Sequence, residues 1–218
     1  KQVELSIAAR YDSISAIDNG ITRRTVGQDQ SKSTYKVSAR YQPTPSLLFR
    51  SSYGTGFKAA SMLDIAQPLV NAGFTASAWE CPIAHPEYCR PGKSQYNTIS
   101  GGNENLKPET SKQYTIGMRF EPSAKFSVGL DLWDVQMRDA VSGVSQQQAF
   151  GDPVKFRNLF TTYTEPSTGN TYWAFNSLSV NIGRSHNRGI DWDFTNRQKF
   201  AIGTFTGGSS GSNLVITL

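Results

Sequence analysis

Cys81, His85 and Cys89 recur at even intervals in the segment C-P-I-A-H-P-E-Y-C, which holds both cysteines of the chain and one of its two histidines. Two thiols and an imidazole are zinc-ligand chemistry; the same two thiols are equally the ends of a local disulfide in an exported protein. Pro82 and Pro86 keep the three side chains from lining one helix and no fourth ligand is evident, so the expectation is a Cys81–Cys89 disulfide and no metal site. In the chain-entropy picture such a closure contributes up to about 3 kcal/mol. Asp191 and Asp193, with Asp131, have the make-up of a glycosidase carboxylate pair, or else of charge partners for Lys36, Arg40, Arg50 and Arg119. His85 and His186 lack a neighbouring nucleophile motif, so no catalytic residue is assigned and the chain reads as a non-enzyme. Trp79, Tyr88, Arg90, Tyr172 and Trp173 offer rings and a guanidinium on which a hydrophobic or sugar-like ligand stacks; they are the substrate-binding candidates, the other use of such residues being to pack loops together.

What must position these residues follows from composition and pattern. Of 218 residues only 37% are hydrophobic and 18% charged, with 11% aromatic and 19 glycines, a mixture that favours strands and excludes an all-helical bundle. The 22 Lys and Arg against 17 Asp and Glu give +5, but they are scattered, Arg23-Arg24 being the densest group, and no nucleic-acid partner is expected. Nowhere does an apolar run reach the roughly 18 residues of a membrane helix, and Lys1 opens within a strand pattern without a signal-peptide arrangement.

Alternation with period two runs through Val3–Tyr11, Tyr35–Tyr41, Leu47–Tyr53, Tyr114–Phe120, Phe126–Leu132 and, across a polar middle, Leu178–Phe194; Phe200 and Ile202 begin a further strand. The links between these segments alternate strictly: 13–30, 56–109 and 139–177 are long, whereas 42–46, 121–125 and 195–199 are short. Outer-membrane barrels have short periplasmic turns and long extracellular loops, and the pattern predicts an all-β, antiparallel transmembrane β-barrel segment of about seven strands. Tyr41, Phe49, Phe120, Phe126, Phe194 and Phe200 near the short turns form one aromatic belt, and Tyr11, Tyr35, Tyr53 and Tyr114 the other. A soluble sandwich with aromatic core ends remains the alternative on alternation alone.

Three segments carry a family likeness. Ser52–Ile65, S-Y-G-T-G-F-K-A-A-S-M-L-D-I, resembles the F-[RK]-A-P-S segment of TonB-dependent outer-membrane receptors, with Ala60 in place of proline. Asn103–Ser111 is similar to that family's N-P-x-L-K-P-E-T-S, with Glu104 in place of proline, and Asn187–Asp193 to its x-x-G-[IV]-E-x-[DE] strand. The resemblance implies a piece of a Gram-negative outer-membrane barrel of about 22 strands around a plug. Such a receptor imports a large scarce nutrient, siderophore-bound iron, vitamin B12 or an oligosaccharide, with energy delivered through TonB, and it uses no cofactor. The implied partners are outer-membrane lipid, the nutrient, TonB and the plug. Residues 1–206 are expected to be partial receptor barrel, and 207–218, starting at Gly207-Gly208-Ser209-Ser210, an atypical truncated tail. A passive porin or adhesin barrel, or a secreted carbohydrate-binding β-sandwich, are the alternative functions.

Overall fold

The computed structural model describes residues 2–18 and 25–217, so the Arg23-Arg24 pair lies outside the described residues. In chain order the strands are β1 (Gln2–Ile14), β2 (Ile17–Asp18), β3 (Thr25–Val26), β4 (Gln30–Thr44), β5 (Leu47–Lys58), β6 (Val70–Phe74), β7 (Asn97–Ser100), β8 (Glu109–Ser123), β9 (Phe126–Gly143), β10 (Phe160–Thr164), β11 (Thr171–Ser177), β12 (Ser179–Phe200) and β13 (Gly203–Thr217). Two short helices, α1 (Met62–Ala66) and α2 (Gln146–Gly151), lie between β5 and β6 and between β9 and β10.

Among the described residues, β1-β4-β5-β8-β9-β12-β13 make one seven-stranded antiparallel sheet, with β1 and β13 at its edges. Three of its connections are tight turns, at 45–46, 124–125 and 201–202; the other three are long and leave from the opposite rim. Strands of 12 to 22 residues are longer than the roughly 9–11 that a bilayer-crossing strand needs. No helix among the described residues is long and apolar enough to span a membrane, which says nothing of a chain that crosses with strands.

Register sorts the side chains onto two faces, because residues directly opposite on neighbouring strands share a side. One face carries the row Leu5, Ala39, Ser51, Ile116, Leu132 and Ile190. Among the described residues nothing covers it: Ile116 is 63% exposed and Leu130 39%, so no second sheet of the described residues packs there. The aromatic belts flank it. Phe126 meets Phe194 edge-on at 5.5 Å near the turns, and Tyr35, Tyr53 and Tyr114 stand in a ring row, centroids 5.6 and 4.7 Å apart, toward the other rim.

Two expectations shift. The last tight turn is Ala201-Ile202 rather than 195–199, because Thr195–Lys199 holds no glycine or proline to stop pairing and continues against Thr204–Gly208. Phe200 consequently ends β12 instead of opening the next strand. Gly203–Thr217 pairs with β12 from Phe200 up to His186, so position 206 lies inside a strand that 207–217 continue. In that strand the polarity reverses: Leu214 and Ile216 share a face with Gly189 and Asn187.

Candidate functional site

Two of the long connections are folded together. β6, β7, β10 and β11, drawn from 59–108 and 144–178, form a second, four-stranded sheet in the order β10-β11-β7-β6, with β11 parallel to β7. Ser61, the last residue of F-K-A-A-S, caps α1 by accepting from the Asp64 amide at 3.1 Å. Ser145 and Gln148 close a capping box at the start of α2. Between these elements sits a core of Tyr96, Val144, Leu159, Phe160, Trp173 and Phe175, the last only 1% exposed. Side-chain amides tie this loop module to the wall: Asn103 Nδ2 donates to the Ser179 carbonyl at 2.9 Å, and Asn181 Oδ1 accepts from the Lys107 amide at 2.7 Å.

The substrate-binding candidates and both cysteines fall in this module. Trp173 is buried in the core, with Tyr88 edge-on at 5.7 Å and the Arg157 guanidinium 4.8 Å over its ring. Trp79 stacks on Phe150 at 5.1 Å. Arg90 lies 4.1 Å over the Tyr172 ring, donates to Asn97 Oδ1 at 3.3 Å and pairs with Glu165. Tyr88, Arg90, Tyr172 and Trp173 therefore converge on β11, with Trp79 on a separate stack. Cys81 and Cys89 form the disulfide, Cα atoms 5.4 Å apart, which commits both sulfurs and dissolves the Cys-His-Cys metal set. His85 instead pairs with Glu87 at 3.1 Å and stacks on Tyr88.

The Arg90 clamp makes the module pH-sensitive. The hydrogen bond from Arg90, and then its charge, hold the Glu165 carboxyl below the ordinary carboxylate range, against the opposing effect of burial. A depressed folded-state pKa contributes stability that is complete above the unfolded value of 4.5 and is lost as pH falls through the folded one. Amide protection in β10 and β11, taken as the exchange rate relative to the intrinsic rate at each pH, is expected to fall on acidification below that value, and Glu165→Gln to abolish the acid step while lowering protection at neutral pH. An unchanged acid step in the variant would remove Glu165 as its source.

The other face of the large sheet is charged. Arg50 bonds Asp131 through Nε at 3.0 Å and Nη2 at 2.5 Å, and Arg119 Nη1 reaches both oxygens of Asp193 at 2.9 and 2.7 Å. Neither pair joins neighbouring strands. Arg50, Gly117 and Asp131 form one row across β5, β8 and β9, and Arg119, Gly129 and Asp193 another across β8, β9 and β12. Each arginine passes over a glycine to reach its carboxylate. A Cβ at Gly117 would lie 1.9 Å from Asp131 Oδ1, and one at Gly129 2.1 Å from Asp193 Oδ1. Asp131 and Asp193 are thus each engaged by an arginine, an electrostatic cross-brace over the intervening strand, and Asp191 stands on the same face directly opposite Asp131. Gly117→Ala is expected to push the Asp131 carboxylate off Arg50 and lower stability by about 1–3 kcal/mol. The check is thermal unfolding of the purified protein, with Asp131→Asn non-additive in the double variant. Sequence reasoning named these charges but not the glycines; the signal was their placement opposite them.

The sequence matches the family model described as TonB dependent receptor-like, β-barrel, over residues 1–214. No curated protein matches it. Among solved structures, the siderophore receptor PirA from Acinetobacter baumannii is similar at 14% identity and TM-score 0.53, over 89% of this chain and 26% of that one. A mutant ferric enterobactin receptor PfeA from Pseudomonas aeruginosa, in complex with enterobactin, is similar at 16% identity and TM-score 0.51, over 76% and 20%. The RagAB peptide importer in its closed-closed state gives 14% and 0.55, over the whole of this chain and 21% of that one. At these identities the likeness shows the fold, and the chain spans between a fifth and about a quarter of those proteins' lengths.

Proposed function

The chain belongs to the TonB-dependent receptor β-barrel family, and from that premise we propose that it supplies seven adjacent wall strands and a folded extracellular loop module to an outer-membrane importer of a large, scarce nutrient. In the intact receptor TonB acts on a plug within the barrel, and the nutrient is a siderophore-bound iron, vitamin B12 or an oligosaccharide. The single observation that carries the reading is the two-faced sheet: an uncovered apolar face between aromatic belts, backed by a face of cross-braced arginines and aspartates. Lipid suits the first, and the second suits a water-filled or plug-filled lumen. The loop module, on the rim from which all long connections leave, is where an incoming nutrient is met first, and Arg90, Tyr172, Tyr88, Trp79 and Trp173 are its proposed recognition elements, directly or by holding the module's shape.

The test is uptake of radiolabelled ferric siderophores, cobalamin and oligosaccharides by cells carrying the intact receptor, with and without a protonophore. Uptake of one class that ceases with the protonophore and in cells lacking TonB supports the proposal. Solute entry indifferent to both would make the barrel a passive porin, and adhesion without entry an adhesin.

A further inference from the structure

Arg90 stands in a setting that the four-stranded sheet builds without it. On the face turned away from the core, Phe74 of β6 lies directly opposite Asn97 of β7, and Asn97 opposite Ala174 of β11. Tyr172, two residues from Ala174, shares that face by the pleat, while Trp173 and Phe175 point into the core. The turn between β10 and β11 brings Glu165 to the same place. Its amide donates to the Asn170 carbonyl at 2.9 Å, and the Thr168 hydroxyl donates to its Oε2 at 3.2 Å. Two ring faces, a carboxylate and the amide oxygen of Asn97, a residue only 4% exposed, together make a cage for a cation.

The occupant comes from outside the sheet. Arg90 follows Cys89, so the disulfide anchors its backbone, and its guanidinium lies 4.1 Å from the Tyr172 ring centre and 6.0 Å from that of Phe74. The fit is incomplete: its bonds to Glu165 and to Asn97 both leave from Nη2, and among the described residues its buried Nε has no acceptor. Nor is the cage sealed, for Phe74 is 55% exposed and the Arg90 side chain 19%.

We propose that this cage receives a guanidinium group of the incoming nutrient, and that Arg90 fills it as a tethered stand-in until the nutrient displaces it. A planar guanidinium stacks on Tyr172 as a compact, strongly hydrated ammonium does not. On its own stem it is free to turn its fork onto Glu165, whereas Arg90, fixed at Cys89, engages the cage through one nitrogen. The inference rests on the loop module being where the nutrient is met. Of the proposed nutrients it selects a siderophore built with an arginine-like arm, since neither cobalamin nor a neutral oligosaccharide carries such a group.

The experiment uses the intact receptor in detergent. Arg90→Ala empties the cage, and amide protection in β10 and β11 is expected to fall about tenfold. Ethylguanidinium, the fragment that this substitution removes, is expected to restore protection saturably at millimolar concentration. Propylammonium is expected to act at least about threefold more weakly, and neutral ethylurea not at all. In Arg90→Ala/Glu165→Gln the affinity for ethylguanidinium is expected to drop about tenfold or more. The wild type, which needs no variant to fold, is expected to bind N-acetylarginine amide in ligand-observed NMR about threefold or more weakly than Arg90→Ala does, because the tethered side chain competes. Rescue by ethylurea as good as by ethylguanidinium, no rescue, or a double variant rescued like the single one would overturn the proposal. So would a wild type that binds N-acetylarginine amide as tightly as Arg90→Ala, or not at all. Tighter wild-type binding of N-acetylglutamate amide would make Arg90 itself the recognising group and overturn it too. Uptake indifferent to the protonophore, with the cage behaving as expected, counts against the transport reading only; energised uptake of cobalamin alone counts against this inference only.

Discussion

Trp173→Ala is expected to unfold the extracellular loop module while the barrel wall stays folded, at a cost of about 3–5 kcal/mol. The indole is 5% exposed and packs with Tyr88, Phe160 and Phe175 in the one apolar core the described residues contain. That core is small, so a cavity of indole size removes a large share of what holds four short strands together. The wall has no such dependence, because its seven strands form one contiguous ladder. Hydrogen exchange in the intact receptor separates the two: amides of β7, β10 and β11 are expected to exchange freely in the variant, with β5, β8 and β9 unchanged. Tyr172→Ala, which takes away a half-buried ring stacked under Arg90, is expected to loosen the module less. Should Trp173→Ala abolish nutrient binding without faster exchange, Trp173 would be a ligand contact rather than a core residue.

Much of the wall was legible because a sheet with one apolar and one polar face imposes period-two patterning on every strand, and the rim asymmetry showed in link lengths. The tight turns at 45–46 and 124–125 were marked by proline in Q-P-T-P-S and E-P-S-A-K. The turn at 201–202 carried no such mark, and the polar stretch Thr195–Lys199 imitated one, which moved the boundary. The loop module was not legible as a fold. Its strands are short, β11 pairs with β7 across a sequence separation that no local pattern encodes, and its core residues alternate with nothing. Even so, Ser145–Gln148 is a recognisable helix start, and the F-T-T-Y-T and T-Y-W-A-F runs around Glu165–Asn170 spell a hairpin. Of the site chemistry, the arginines and aspartates of the polar face were readable from parity. Their reach over Gly117 and Gly129 was not, since it depends on a third strand lying between the partners.

Leu132→Arg decides which solvent the apolar face meets. Leu132 lies in the row with Ile116 and Ile190, between Phe120 and Phe194 near the turns and Tyr114 toward the loops. In water, an arginine at a position 46% exposed would shift stability by no more than about 0.5 kcal/mol. In a barrel wall the same guanidinium faces hydrocarbon near the bilayer middle, and the expected loss is about 2–4 kcal/mol. Thr115→Arg is the matched control: one residue from Ile116 on β8, it shares a row with Ser52 and Trp133 on the opposite face, where arginines already stand. It is expected to leave stability within about 0.5 kcal/mol. Denaturant unfolding of the intact receptor in lipid vesicles gives both values. A large loss for Leu132→Arg with a small one for Thr115→Arg fixes lipid on the Ile116 side; the reverse order would turn the sheet around, and equal small losses would mean that neither face touches hydrocarbon.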